Sequence, residues 1–416
     1  MDRRSFLGKV GGLGAAGVVL SALPIVEACS PDRKTTVSGG NKVRLGMIGP
    51  GSRGQYHLAN LQQIANAEVV ALCDIYQPNL EKGLEMFPGA KSYTDYRALL
   101  EDKDVDGVII ATPLSEHYRM AMDAISAGKH VLCEKAMAYT MDQCLEMYRS
   151  AVAGGKVFII GQQRIFDPKY RKALDSVCKG EYGPVVNVRT HWFRNNDWRR
   201  PVPSPEYERH INWRLYREYS RGIMTELACH QLQNGIFAMG DLPYKVMGSG
   251  DIIYWKDGRE VFDSVSVIYT FPNGVNMTFE SVISNRYFGM GEYIVCRDGT
   301  VDLLKGRYYP AVPPKKTAIR QLLGEIEKGV FSNPAFAGTS WAPETAEDTS
   351  GISIMPEASG DGSMEMMQAF CDACISGVQP QGVLRQAYYG SILAILGDEA
   401  MLQNKILEFP EKYRVD

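Results

Sequence analysis

Beyond its N-terminal stretch the sequence has no apolar run of roughly 18 residues or more, so no second membrane-spanning segment is expected. It also lacks a surplus of positive charge. With 45 Lys and Arg against 48 Asp and Glu, the electrostatic footprint of a nucleic-acid binder is absent. Its six histidines share no ligand spacing, so no metal centre is expected. The nine cysteines are odd in number and include Cys73, Cys133, Cys178, Cys229 and Cys296, scattered through strand-like and helix-like segments. They form no disulfide framework and read mostly as buried thiols. Cys371 and Cys374 make a single C-x-x-C with no second pair nearby, which reads as helical core rather than a zinc site. There is no internal repeat and no low-complexity tract. What remains is an ordinary globular composition, 45% apolar and 22% charged, over 416 residues, enough for two domains.

The first residues read as an address rather than as fold. Arg3 and Arg4 precede Phe6 and Leu7 in DRRSFL, and an apolar region runs from Val10 to Val26. This resembles a twin-arginine signal, with Asp2 at the usual Ser/Thr place; a plain secretory signal or membrane anchor is the alternative. Val26-Glu27-Ala28-Cys29 resembles a lipobox, making Cys29 the expected lipidation site and the new N-terminus. The expectation is therefore a signal over 1–28 and a polar tether over 29–41. The protein would be exported already folded to the periplasm and touch the membrane only through its lipid. Such a route implies a cofactor acquired inside, held tightly and restored in place, because no free dinucleotide pool is expected outside the cytosol.

From Lys42 short apolar runs alternate with helix-like segments: VRLGMIG, AEVVALCD, VDGVIIAT, HVLCEK and KVFIIG are strand candidates. Strands apolar throughout and separated by amphipathic helices imply a parallel sheet covered on both faces. An α/β, doubly wound domain is expected over 42–161. Over 162–416 the strands lengthen and alternate (VVNVRTHWF, DSVSVIYTF, VNMTFESVI), with hairpin turns such as PNG. An α+β domain with a mostly antiparallel open sheet and C-terminal helices follows.

Gly49-Pro50-Gly51-Ser52-Arg53-Gly54 is a G-x-G-x-x-G placed after a strand and before a helix. Its glycines allow a tight turn, close approach of a pyrophosphate and close helix packing, and the helix N-terminus offers free N–H groups. Asp74 lies twenty residues past Gly54 at the end of the second strand. A carboxylate there accepts hydrogen bonds from ribose hydroxyls and repels a 2′-phosphate, which favours NAD over NADP; Arg53 is positioned to complicate that choice. Thr112 and Pro113, with His117, mark a turn at the carboxyl edge of the sheet, where ligands bind in this architecture. Lys135, in Cys133-Glu134-Lys135-Ala136, ends the next strand, where an ammonium can hold a developing alkoxide.

GPGSRG, ATPLSEH and CEKAMA, in this order and spacing, resemble the Gfo/Idh/MocA family of sugar and polyol oxidoreductases, over Lys42 to the C-terminus. The resemblance implies NAD as cofactor, Lys135 as the active-site lysine with Glu134 beside it, and Arg164, in GQQRIFDPKY, at the domain junction near cofactor and substrate. The family's E-K-P motif has Ala136 in place of proline. Its D-x-G-x-H helix is matched by Glu226-Leu227-Ala228-Cys229-His230, where four-residue spacing puts Glu226 and His230 on one face. His230 suits a general base or acid, with Glu226 orienting it or gripping a hydroxyl. Homo-oligomers are frequent in the family.

Two aromatic and basic stretches, VRTHWFRNNDWRRPVPS and HINWRLYREY, carry flat faces and planar donors suited to a carbohydrate. Trp192, Arg194, Asn195, Trp198, Arg199 and Trp213 are the candidate substrate residues. The expected activity is NAD-dependent oxidation or reduction of a sugar, glycoside or polyol hydroxyl. One alternative is glycosidase chemistry through transient oxidation, whose branch carries a histidine-glycine stretch after the Trp-Arg-Arg segment that this chain lacks. The other is a sugar-binding protein on an inactive fold, which the presence of Lys135 and His230 opposes.

Overall fold

The computed structural model describes residues 42–311, 351–355 and 360–415. The signal, lipobox and tether readings of residues 1–41, Cys29 included, lie outside the described residues. The first domain is a sheet of six parallel strands: β1 (Val43–Ile48), β2 (Ala67–Cys73), β3 (Lys91–Tyr93), β4 (Gly107–Ile110), β5 (His130–Cys133) and β6 (Phe158–Ile160). Their order is β3-β2-β1-β4-β5-β6, so the chain reverses direction across the sheet between β1 and β4. The crevice above that reversal is where doubly wound folds bind ligands. β4 and β6 are buried at every position, as strands covered on both faces must be. Helices α1 (Ser52–Leu61), α2 (Gln77–Met86), α3 (Tyr96–Glu101), α4 (Leu114–Ser126) and α5 (Met141–Gly154) connect them. Thr140 and Gln143 cap α5 reciprocally, each side chain bonding the other's backbone.

Among the described residues the second domain is a sheet of nine strands, which include β8 (Lys245–Asp251), β11 (Met290–Cys296), β12 (Gly299–Asp302), β13 (Arg307–Pro310), β14 (Ile352–Ser353) and β15 (Leu407–Glu408). Their order is β14-β13-β12-β11-β7-β10-β9-β8-β15. β7 (Val185–Trp192) and β10 (Asn276–Val282) pair in parallel, and the other neighbours are antiparallel. The strict alternation of β9 (Ser264–Thr270) buries Val265, Val267 and Tyr269 on one face and exposes Ser266 and Ile268 on the other. The inner side of the sheet is covered by α8 (Cys229–Met239) over β7, β10 and β11, while the Tyr269 hydroxyl of β9 donates to the Leu393 carbonyl of a C-terminal helix. α8 follows α6 (Pro168–Cys178) and the short α7 (Glu208–Ile211) in the chain.

Two C-terminal helices bind the domains together. Ser363–Ser376 returns to the first domain, where Met366, Met367, Phe370 and Cys371 share a core with Leu45, Met47 and Leu58. A helix that follows the second-domain strands in sequence thus completes the outer layer of the first domain. Cys371 is fully buried there, as the helical-core reading required, and its thiol is pushed up to about 12 by burial. The helix Val383–Gln403 runs between the domains and is buried along most of its length. It crosses α8 at Gly390, where an added Cβ would lie 3.0 Å from the Cys229 carbonyl oxygen. Its buried Asp398 accepts from Arg217 and Arg221, fixing the loop that leads into α8.

Candidate active site

A cleft of about 1190 Å³ opens between the carboxyl edge of the parallel sheet and the second domain. Its nucleotide half starts at Gly49, whose φ of +85° is left-handed and whose added Cβ would meet the Ala111 carbonyl oxygen at 2.8 Å. Only glycine fits. An added Cβ at Gly54 would sit 2.3 Å from the Gly49 carbonyl oxygen, so the third glycine sets helix packing, not ligand contact. Gly51 is different: an added Cβ would meet only Asn79 Nδ2, at 3.5 Å, leaving room above it at the start of α1. Gly49, Gly51 and Ser52 line the cleft there, a cradle of the shape and polarity that a pyrophosphate needs.

Asp74 stands at the lip of the next strand. Its carboxylate accepts from the Tyr76 N–H (2.8 Å) and from Asn79 Nδ2 (3.1 Å), which hold it facing the cleft. Burial pushes this carboxyl up against those two donors. Arg53 does not turn toward it. Its Nε donates to Glu134 Oε1 (2.8 Å) and its terminal nitrogen to Ser363 Oγ (3.3 Å), so the guanidinium is engaged away from the ribose end. Asp74→Ser is expected to weaken NAD binding at least tenfold, because hydrogen bonds to a charged group contribute about 1.5–3 kcal/mol. Fluorescence titration with NADH measures it, and unaltered affinity would remove Asp74 from the site.

Thr112 and Pro113 line the crevice after β4. His117 sits below them, fully buried. Its Nδ1 lies 2.8 Å from the Ala136 carbonyl oxygen and its Nε2 3.1 Å from that of Thr112. It therefore ties the β4 and β5 loops together rather than reaching a ligand freely. The Lys135–Ala136 peptide that follows β5 is cis. Glu134 is likewise turned inward. Its Oε1 accepts from His57 Nε2 (2.7 Å) as well as from Arg53, and its Oε2 from the Lys135 N–H (3.2 Å). Burial would push Glu134 up, but Arg53, His57 and Lys135 outweigh it and hold the carboxyl well below the usual carboxylate range. Since a carboxylate only accepts, His57 carries its proton on Nε2. The sequence did not single out His57; its only signal is a histidine in the apolar row of α1.

Lys135 reaches across to the second domain. Its Nζ donates to the Glu226 carbonyl oxygen (2.8 Å) and lies 3.9 Å from Glu226 Oε2. Glu226 occupies a single π-helical turn, Met224–Ala228, ahead of α8, a feature that recurs at functional sites. The expected regular helix is therefore widened where the two domains meet. Burial would push the Glu226 carboxyl up, but Lys135 and Arg214 hold it below its ordinary value, with Arg214 Nε donating to Oε2 at 2.8 Å. His230 lines the same cleft and makes no hydrogen bond to any described residue; its Nδ1 is enclosed, which leaves Nε2 to face the cleft. Burial, then Arg164, then Lys135 hold the imidazole well below the usual histidine range, so it is neutral at pH 7.

The second-domain wall corrects several expectations. Arg164 does not line the cleft. Glu292, wholly buried on β11 (Met290–Cys296), needs a counter-charge and captures its guanidinium, aided by Asn234 Nδ2 (2.8 Å) and the Tyr170 hydroxyl (3.1 Å). Arg164 still lies 4.9 Å from the Trp192 ring centre, behind the wall. Asn195 is exposed and pairs through its backbone with Ser284, whereas its neighbour Asn196 lines the cleft. Arg199 lines it too, but Glu208 and Asp257 take its guanidinium. Trp192, Arg194, Trp198 and Trp213 face the cleft as expected. Trp198 does so with a left-handed φ of +63°, a strained backbone for a bulky side chain. Asn196 Oδ1 holds its N–H at 2.6 Å, and Arg259 holds the preceding carbonyl at 2.7 Å. Arg200, His210 and Arg214 also line the cleft, three residues the sequence left unassigned.

Family models match most of this framework. One described as "Oxidoreductase family, NAD-binding Rossmann fold" matches residues 43–162, and one described as "GFO/IDH/MocA C-terminal domain" matches residues 170–302. Myo-inositol 2-dehydrogenase of Thermotoga maritima is 26% identical over 234 residues, 56% of this chain and 66% of the relative. A glycosyl hydrolase family 109 protein of Shewanella pealeana is 28% identical over 216 residues, 48% of this chain and 47% of the relative. The chain thus spans between about half and two thirds of the length of these curated relatives. Among solved structures, levoglucosan dehydrogenase in complex with NADH and levoglucosan superposes with a TM-score of 0.68 at 19% identity. That likeness, one of fold, covers 89% of this chain and 100% of the other.

Proposed function

The chain belongs to the Gfo/Idh/MocA family of oxidoreductases and carries its NAD-binding domain, and on that premise we propose that it oxidises or reduces a hydroxyl of a sugar, glycoside or polyol. One observation carries the reading: Lys135, from the end of β5, and a neutral His230, from α8, without a hydrogen-bond partner among the described residues, face one cleft with the glycine cradle and Asp74. Bound NAD supplies the hydride acceptor or donor. The protein's own part is proton and charge handling. The Lys135 ammonium, steadied by the Glu226 carbonyl, donates to the substrate hydroxyl oxygen and stabilises its growing negative charge. His230 takes the hydroxyl proton on Nε2 and returns it in the reverse direction. Trp192, Trp198 and Trp213 offer flat faces to the sugar ring.

The cofactor is held tightly in this proposal. Tyr76, two residues past Asp74, meets Tyr207 (ring centres 5.6 Å apart) and His210 (6.1 Å) from the second domain. These contacts bridge the two domains at the ribose end of the cleft, where they slow release of a bound cofactor in this reading. Tight retention agrees with the export reading of residues 1–41, under which the protein works in the periplasm from a lipid at Cys29. A second copy of the chain is the natural cover for the outward face of the nine-stranded sheet, where the paired Met247 and Ile268 are exposed.

Native mass spectrometry of the purified protein tests the cofactor, and a panel of glycosides and polyols watched for ketone product and NADH tests the reaction. Bound NAD with ketone formation is expected; an inert panel with no dinucleotide in the protein would overturn the reading. A second reading, glycoside cleavage through transient oxidation, draws on the family 109 relative. It requires product release without net NADH, whereas stoichiometric NADH excludes it.

A further inference from the structure

The two halves of the cleft differ in charge balance. On the nucleotide side each acid but one has its own cation: Asp95 has Arg97 (3.7 Å), Glu116 has Arg119, and Glu134 has Arg53. The exception is Asp74, which faces the ribose end. On the second-domain side the excess is positive. Arg199 is neutralised by Glu208 and Asp257, and Arg214 gives its Nε to Glu226. Arg194 and Arg200 remain. Both line the cleft, and neither guanidinium has a carboxylate or a hydrogen-bond acceptor among the described residues.

Their placement is built rather than incidental. Buried Asn212 clamps the Arg200 backbone from both sides, its Oδ1 accepting the N–H (2.7 Å) and its Nδ2 donating to the carbonyl (3.0 Å). The side chain is thereby projected from a fixed point. Arg194 lies 6.0 Å from the Trp192 ring centre, and Arg214 lies 4.2 Å from that of Trp213, so aromatic faces back two of the three cations. Arg194 is half-buried and Arg200 exposed; loss of solvent on the wall, then repulsion from Arg214, lowers both from the ordinary guanidinium value. Arg214 thus repels both of the other guanidiniums that line this wall, and planar forks of this kind match an oxyanion.

We propose that the substrate carries an oxyanion, a carboxylate or a phosphate ester, bound by Arg200 and Arg194 beside Arg214 while its hydroxyl faces Lys135 and His230. This inference rests on the oxidoreductase reading above for the reacting end of the substrate.

The test titrates the NAD-loaded protein calorimetrically with methyl glucoside, methyl glucuronide and glucose 6-phosphate, and assays the same three compounds for turnover. One of the two anions is expected to bind at least about tenfold more tightly than the neutral glycoside. The advantage should shrink with added salt, as a partly exposed charge contact must. Arg200→Gln and Arg194→Gln should each cut the anion-to-neutral ratio about tenfold. The favoured anion decides between carboxylate and phosphate ester. Equal binding of all three compounds, or binding of none, overturns the proposal. So does an Arg200→Gln protein that loses NAD affinity but keeps the anion preference, which would give the arginine to the cofactor's pyrophosphate. Anion preference without turnover sustains this site and removes the oxidoreductase reading; turnover without preference does the reverse.

Discussion

Replacing Lys135 by Met is expected to lower kcat by about a thousandfold while leaving NAD bound. The magnitude follows from losing a positioned donor to a growing alkoxide, a class of loss that runs from about a hundredfold to ten thousandfold. A merely structural lysine would behave differently. The hydrogen bond of its ammonium to the Glu226 carbonyl oxygen, at 2.8 Å, is worth about 1 kcal/mol of stability, and its loss would appear in the melting temperature rather than in turnover. Methionine keeps the length of the stem and removes the charge. Glu226 would remain ionised through Arg214, so the second-domain side of the site should hold its shape. The measurement is kcat on the best substrate of the panel, with NAD affinity and thermal unfolding followed in parallel. Unchanged turnover would strip Lys135 of its role and assign the growing alkoxide to another group of the cleft.

Much of the framework was legible because it repeats a physical pattern. Continuous apolar strands bounded by turns announce β1, β2, β4, β5 and β6, and the glycine spacing announces the cradle between β1 and α1. β3 was not legible: it is three residues long and mostly exposed, so neither alternation nor a hydrophobic run marks it. The return of Ser363–Ser376 to the first domain was hidden as well, because an amphipathic helix records that one face is buried but not against which sheet. In the site, residue types were readable and directions were not. The run Asp197-Trp198-Arg199-Arg200 shows two arginines, and nothing local says that Glu208 and Asp257 will capture the first and leave the second facing the cleft. The left-handed backbone at Trp198 has the same effect, re-aiming side chains in a way no periodicity encodes. Arg164, expected at the domain junction near cofactor and substrate, turns instead to Glu292, a residue 128 positions further along the chain.

The acid stability of the fold should be set by histidines rather than by carboxylates. His57, His117 and His230 are each buried, and burial, the leading cause in all three, holds each below the ordinary value of 6.5. Above pH 6.5 they are neutral in both folded and unfolded chains and contribute nothing to the pH dependence. As the pH falls below 6.5 the unfolded chain takes up protons that the folded protein refuses, so stability falls with pH until each folded value is reached. Each histidine adds a slope of at most about 1.4 kcal/mol per pH unit, and three together approach about 4. Against a typical total of about 5–15 kcal/mol, a pH unit or two is then decisive. Glu134 and Glu226 act later. Their folded values are depressed, so their contributions are present above the usual carboxylate value of 4.5 and vanish only as the pH falls through the depressed folded values. Urea unfolding of the NAD-loaded protein from pH 8 to pH 5 should therefore show a plateau above pH 6.5 and a steep decline beneath it. His57→Gln, which retains a donor toward Glu134, should make the decline shallower. A stability that stays level down to pH 5 would mean that these imidazoles find protons in the folded state. His230 could then not be the neutral acceptor on which the proposed proton transfer depends.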